Sequence, residues 1–171
     1  MDSARIRQAT SRVIRHFADN PDKGLVTDKA AVARLQTGLL CRAEGPHGAL
    51  LVSDMPTSVG GSATAPTPGW FLRAALANCD ATVIAMRAAQ LGVELTRLEV
   101  TVDTISDDRG MFGVVDGVPA SPLSMRVRVA IAAEGTSADR LRAIVHWAEK
   151  HSPVGDAIRR AIPATVEIET S

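Results

Sequence analysis

The stretch from Pro68 to Gly92, PGWFLRAALANCDATVIAMRAAQLG, limits the fold more than any other. Trp70, Phe71, Ala74, Ala77, Ala81, Ile84 and Ala88 are spaced for the faces of one long helix over about 68–91. Thr67 suits its N-cap. Pro68 suits its first turn, because the missing amide hydrogen would have no helical partner there. Gly92 supplies the stop. Alanine stands at 74, 75, 77, 81, 85, 88 and 89, so another helix can approach closely. A helix apolar on most sides belongs in the middle of a fold rather than on its surface. One thiol, Cys79, sits inside it between Asn78 and Asp80.

The other segments must enclose that helix. Residues 1–18 read as a short amphipathic helix, with Ile6, Val13, Ile14 and Phe17 near one side and Arg5, Arg7, Arg12 and Arg15 supplying charge. Asp19-Asn20-Pro21 ends it. Residues 31–52 read as two strand segments, AVARLQTGLLCRAEG and PHGALLVSD, joined in a hairpin by a turn at 44–48. The Gly-, Ser-, Thr- and Pro-rich MPTSVGGSATAPTPG is expected to be an ordered loop within one domain. Leu98, Val100, Val102 and Thr104 alternate with Arg97, Glu99, Thr101 and Asp103 in a strand over 95–105, and 107–110 marks a turn. A second alternating strand, 123–132, exposes Arg126 and Arg128, while 111–122 carries no clear pattern. Ser137 caps a helix over 138–149 with an apolar stripe of Leu141, Ile144, Val145 and Ala148. A short helix carrying Val154, Ile158 and Ala161 begins at Ser152-Pro153, and 163–170 alternates as a last strand. This order predicts an α+β fold with a largely antiparallel sheet. The expected organisation is a helical extension over 1–20 and a single domain over 31–171.

The 171 residues suffice for one core, and with aromatics at 3% and no tyrosine that core must rest on Leu, Val, Ile and Ala. Nineteen basic and nineteen acidic side chains cancel, so there is no global electrostatic drive toward nucleic acid or an anionic membrane. No apolar run reaches the roughly 18 residues of a membrane span. The charged N-terminus lacks a signal-peptide core. Two cysteines make no disulfide framework, and a cytoplasmic location is expected. GxxxxGK[ST], GxGxxG and HExxH are all absent. His146 and His151 are five apart around a helix break with no cysteine beside them, so neither a metal nor a cofactor is expected. Ser137 and Ser152 read as helix caps.

Cys41 lies in a strand, within LLCRAE, where a small buried hydrophobe is the plain reading. The same reading applies to Cys79, but its polar neighbours raise a second one. Asp80, if close, would disfavour a thiolate. A reactive sulfur would then need a cation from elsewhere in the fold. Arg73, six residues earlier, has poor same-face spacing, which leaves Arg42.

Taken in order, EGPHGAL, SVGGSATAPTPGWFLRAALANCDATVIAMRAAQLGVEL, LTRLEVTVD and HSPVGDAIRRAIPATVEI resemble the OsmC/Ohr family of small thiol-dependent hydroperoxide reductases over roughly 32–170. The resemblance implies an intertwined homodimer, with two long buried central helices wrapped by largely antiparallel sheets and active sites at the subunit boundary. It implies a peroxidatic cysteine that attacks the O–O bond and becomes a sulfenic acid. A second cysteine then closes a disulfide that an external dithiol reduces. An arginine holds the thiolate and a glutamate orients it. Cys79 matches the peroxidatic cysteine. Ser152 stands at the resolving position, Gly69 where the glutamate would follow proline, and Pro46 near the arginine.

Serine forms no disulfide, glycine orients no guanidinium and proline supplies none. Arg42 and His47 flank the same turn and are the residues able to replace the missing cation. Cys41 could replace the resolving thiol only within disulfide geometry of Cys79. Two main readings follow. One is a single-cysteine organic hydroperoxide reductase using Cys79 and an external thiol. The other is a non-enzymatic module on the same dimeric scaffold, binding a small hydrophobic ligand beside Trp70, Phe71 and Met86. An enzyme using His47 or Asp80 as a base is a third.

Overall fold

The computed structural model describes residues 3–160 and 162–170. They fall into two compact units, one formed by residues 11–75 and the other by the rest.

In the first unit, β1 (Val32–Thr37), β2 (Leu40–Glu44) and β3 (Leu50–Ser53) form an antiparallel sheet in that order. Two hairpins replace the single one expected. Gly38, at φ +55, breaks AVARLQTGLLCRAEG into two strands, a conformation glycine adopts without steric cost. The register places Cys41 between Leu35 and Ser53, and Arg42 between Arg34 and Val52. The β2–β3 turn falls where expected and carries His47 at φ +58.

The loop after β3 is ordered around one carboxylate. Asp54 is 1% exposed. It accepts from the amides of Met55 (2.7 Å), Ser62 (3.2 Å) and Thr64 (3.0 Å), and from the Thr64 hydroxyl (2.8 Å). The Thr64 amide first, then its hydroxyl and the other two amides, hold Asp54 below its ordinary value of 3.8, against the opposing effect of burial. A carboxyl depressed in the fold stabilises above its unfolded pKa, and that stabilisation is lost as pH falls through the folded value. Asp54→Asn is therefore expected to lower Tm at pH 7. Melting curves taken down to pH 2 should show the gap to wild type closing through the acid range; a constant gap would count against this account.

The long helix forms as expected. α2 (Pro68–Gln90) begins under a Thr67 cap, the Trp70 amide donating to Thr67 Oγ1 at 3.2 Å. It ends with Gly92 at φ +68, where the amides of Gly92 and Val93 donate to the carbonyls of Ala89 and Ala88. In the second unit, β4 (Leu95–Ile105) and β5 (Ser124–Ala133) pair antiparallel. Between them the expected turn is the short helix α3 (Asp108–Met111), capped by the Asp107 side chain. α4 (Ala138–His151) and α5 (Pro153–Arg159) follow, α4 capped by Ser137.

Ile84 and Ala88 of α2, Val93, and Leu141, Ile144 and Ala148 of α4 form the buried core. Leu95, Leu98, Val100, Val129 and Ile131 of the hairpin pack on it. Ala88 and Ala148, at most 1% exposed, are the small side chains of that core. On the outer face Arg126 and Arg128 reach Asp103 at 3.2 and 2.7 Å, and the Arg126 hydrogen bond foremost holds that carboxyl below its ordinary range.

α1 (Ser3–Asp19) is the expected amphipathic helix, but Val13, Ile14 and Phe17 remain exposed within this chain. The last strand expected over 163–170 does not form. Residues 162–170 have no regular structure, because a strand needs an edge to pair with and none meets this one among the described residues. Ala161, assigned from sequence to the last helix, lies outside the described residues. No described helix is long and apolar enough to cross a membrane.

Candidate active site around Cys79

Helical spacing gives α2 two working stripes. Leu76, Asp80, Ile84 and Ala88 are buried, whereas Cys79, Thr82, Val83, Met86 and Gln90 share another face. The second stripe, with Asn78, Trp147, His151 and Pro153, lines a cavity of about 480 Å³. Cys79 is half-buried there. Asp80 belongs to the other stripe, and its Oδ1 is buried with no hydrogen-bond partner among the described residues.

The sulfur has a partner. Ser152 Oγ, on a residue with no exposed surface, donates to Cys79 Sγ at 3.3 Å. The Gly155 amide donates to the same Oγ at 3.1 Å, which leaves the hydroxyl proton for sulfur. Local sequence explains the placement. Pro153 biases Ser152 out of the helical region, so α4 stops and Ser152, at ψ 113, caps α5. Gly155 leaves room for the hydroxyl, since a Cβ there would lie 3.0 Å from Ser152 Oγ.

The aromatic wall is Trp147. His151 stacks on it at 3.8 Å between centroids and 9° between planes. Arg87 Cζ lies 4.4 Å from the indole centroid, and Arg87 Nη1 donates to Gln90 Oε1 at 3.2 Å. His151 Nδ1 donates to the Trp147 carbonyl at 2.6 Å. Met86 lines the cavity, whereas Trp70 and Phe71 meet edge to face at 5.1 Å in the first turns of α2.

Arg42, His47 and Cys41 belong to the first unit. Arg42 Nε donates to Glu44 Oε1 at 3.0 Å, so a carboxylate of its own strand holds it. His47 is exposed at the tip of its turn, and Cys41 is half-buried in β2. Among the described residues no three His, Cys, Asp or Glu side chains cluster as metal ligands. Sequence reasoning gives Ser152 the role of cap and, through the family resemblance, the place of the resolving cysteine, but no hydrogen bond to the sulfur. It does cap α5, and the helix break that makes it a cap also turns its hydroxyl to Cys79. His151 was weighed only as a metal ligand. Its position four residues after Trp147 and directly before Ser152-Pro153 was the available signal.

A long helix bearing a cysteine beside a cavity, with an α+β arrangement of antiparallel sheets, defines the class. Residues 60–167 match the family of OsmC-like proteins, and the chain belongs to that family. Solved structures agree in fold. An OsmC-like protein from Mycoplasma pneumoniae superposes with a TM-score of 0.66 at 14% identity, covering 79% of this chain and 89% of its own. An organic hydroperoxide resistance protein OsmC from Legionella pneumophila gives 0.57 at 21%, covering 79% and 91%. A putative organic hydroperoxide resistance protein from Vibrio cholerae, with captopril bound in one active site, gives 0.52 at 22%, covering 80% and 88%. No curated protein matches significantly.

Proposed function

We propose that this chain is a single-cysteine organic hydroperoxide reductase. The observation that carries the reading is the Ser152–Cys79 hydrogen bond at the wall of a largely apolar cavity. Cys79 supplies the nucleophile. Ser152, at the family's resolving position, holds the sulfur and cannot trap it in a disulfide. The sulfenic acid formed on Cys79 must therefore be reduced by an external thiol. The cavity accepts the organic part of a hydroperoxide; the Vibrio cholerae relative holds the small molecule captopril in an active site.

The active form is a homodimer. Leu25, Val26, Val166 and Ile168 are 94%, 71%, 82% and 81% exposed, and a second copy would cover such side chains. Sedimentation should return twice the chain mass.

Rapid-quench mass spectrometry of reduced protein mixed with an organic hydroperoxide tests the assignment. Cys79 should gain one oxygen, Cys79→Ser should abolish the gain, Cys41→Ser should leave it unchanged, and an added dithiol should reverse it. If Cys79 in the folded protein reacts no faster than a free small thiol, the proposal fails. The same cavity then favours the binding of a small hydrophobic ligand without chemistry.

A further inference from the structure

We propose that His151 is the proton-transfer residue of the Cys79 cavity, an assignment that rests on the peroxidase reading for its substrate. Its tautomer is fixed. A carbonyl only accepts, so the 2.6 Å bond to the Trp147 oxygen requires the proton on Nδ1 and leaves Nε2 of the neutral ring as an acceptor. No hydrogen bond occupies Nε2 among the described residues. The ring is held flat against Trp147. Its residue lines the same cavity as Cys79. The adjoining residue places its hydroxyl 3.3 Å from the sulfur, and successive Cα atoms lie only about 3.8 Å apart.

This position offers what the reaction needs at both ends. The proton on Cys79 Sγ passes to His151 Nε2 through one water of the shared cavity, since the two atoms share no direct hydrogen bond. The thiolate attacks the terminal oxygen of R–O–O–H, an S–O bond forms and the O–O bond breaks. The departing alkoxide takes the proton from Nε2. Thiol and hydroperoxide become sulfenic acid and alcohol; sulfur loses two electrons, the peroxide gains them, and the imidazole is restored.

Two variants of the full chain separate the chemistry from packing. His151→Phe keeps a flat ring against Trp147 but has no nitrogen. His151→Gly leaves space for added imidazole. Each is mixed with cumene hydroperoxide and, separately, with iodoacetamide, which reports thiol activation without any peroxide. Both variants should modify Cys79 about a hundredfold more slowly with either reagent, the usual scale of a lost general base. Imidazole should restore His151→Gly and leave His151→Phe unchanged. A wild-type rate in His151→Phe, or a loss in His151→Gly that imidazole does not repair, overturns the assignment. If His151-dependent alkylation occurs in a protein that cumene hydroperoxide does not oxidise, the assignment stands and the peroxidase reading falls. If peroxide oxidises Cys79 independently of His151, the reverse holds.

Discussion

Ser152→Cys is expected to let an oxidised Cys79 close an internal disulfide where the proposed wild-type reaction would stop at a sulfenic acid. Ser152 Oγ lies 3.3 Å from Cys79 Sγ, already near the reach of an S–S bond of about 2.05 Å, and sulfur extends further from Cβ than oxygen does. Ser152 is fully buried and fixed by the Gly155 amide, so the new thiol would start beside its target. After one equivalent of hydroperoxide, wild-type protein should gain the mass of one oxygen. The variant should instead lose two hydrogens, and a sulfenate trap should label it roughly tenfold less, because condensation outruns capture. The cysteines would be 73 positions apart, a loop whose closure is worth about 4 kcal/mol in the unfolded chain before native strain is subtracted. The oxidised variant should therefore melt well above its reduced form. A variant that still ends as a trappable sulfenate would contradict the geometry of the site. The background Cys41→Ser removes the other thiol from the outcome.

Gly61→Ala carries the second large effect. A Cβ at Gly61 would lie 1.9 Å from the Met55 carbonyl oxygen and 2.4 Å from its carbon. Both atoms are backbone, so no side chain can turn aside. The loop would have to open, losing the Ala63 amide bond to the Met55 carbonyl and the Ser62 amide bond to the Asp54 carboxylate. Leaving that buried carboxylate short of donors is costly. Destabilisation on the order of 3 kcal/mol or more is expected, in the range reserved for strain and buried unsatisfied groups. Gly24, with nothing within 4 Å of a Cβ, is the control; Gly24→Ala should change stability by less than about 0.5 kcal/mol. Denaturant titrations of both variants decide it, and comparable stabilities would show that the loop yields without cost.

Elements whose partners lie in the same chain were legible in the sequence. α2 announced both its ends, through Thr67 with Pro68 and through Gly92, and β4, β5 and α4 declared their buried sides by alternation or helical spacing. Where the determinant was a single backbone angle, the reading failed. Gly38 splits β1 from β2, yet the apolar residues on either side of it merge into one run. The tail 163–170 shows the converse, a strand pattern without a strand, because alternation records what a segment can pair with and supplies no partner. The candidate site was half visible. The family resemblance singled out Cys79 and the Ser152 position from one-dimensional order. The Trp147–His151 stack could not be found that way, since each residue alone reads as an ordinary helix surface position. Asp54 was equally silent: among glycines, serines and threonines it looks like one more polar loop residue, whereas the fold closes five donor contacts from three residues around it.

The hydroxyl at position 152 also decides what excess oxidant would do. With a hydroxyl rather than a thiol at that position, Ser152 offers an oxidised Cys79 no disulfide, and two fates follow from the proposed chemistry: capture by another thiol or further attack by peroxide. Sulfinic and sulfonic acids lie beyond the return of ordinary thiols. Survival of the protein as a catalyst would thus be a race set by the ratio of thiol to hydroperoxide around it. Where thiol runs short, each molecule becomes a permanent record of a single overload.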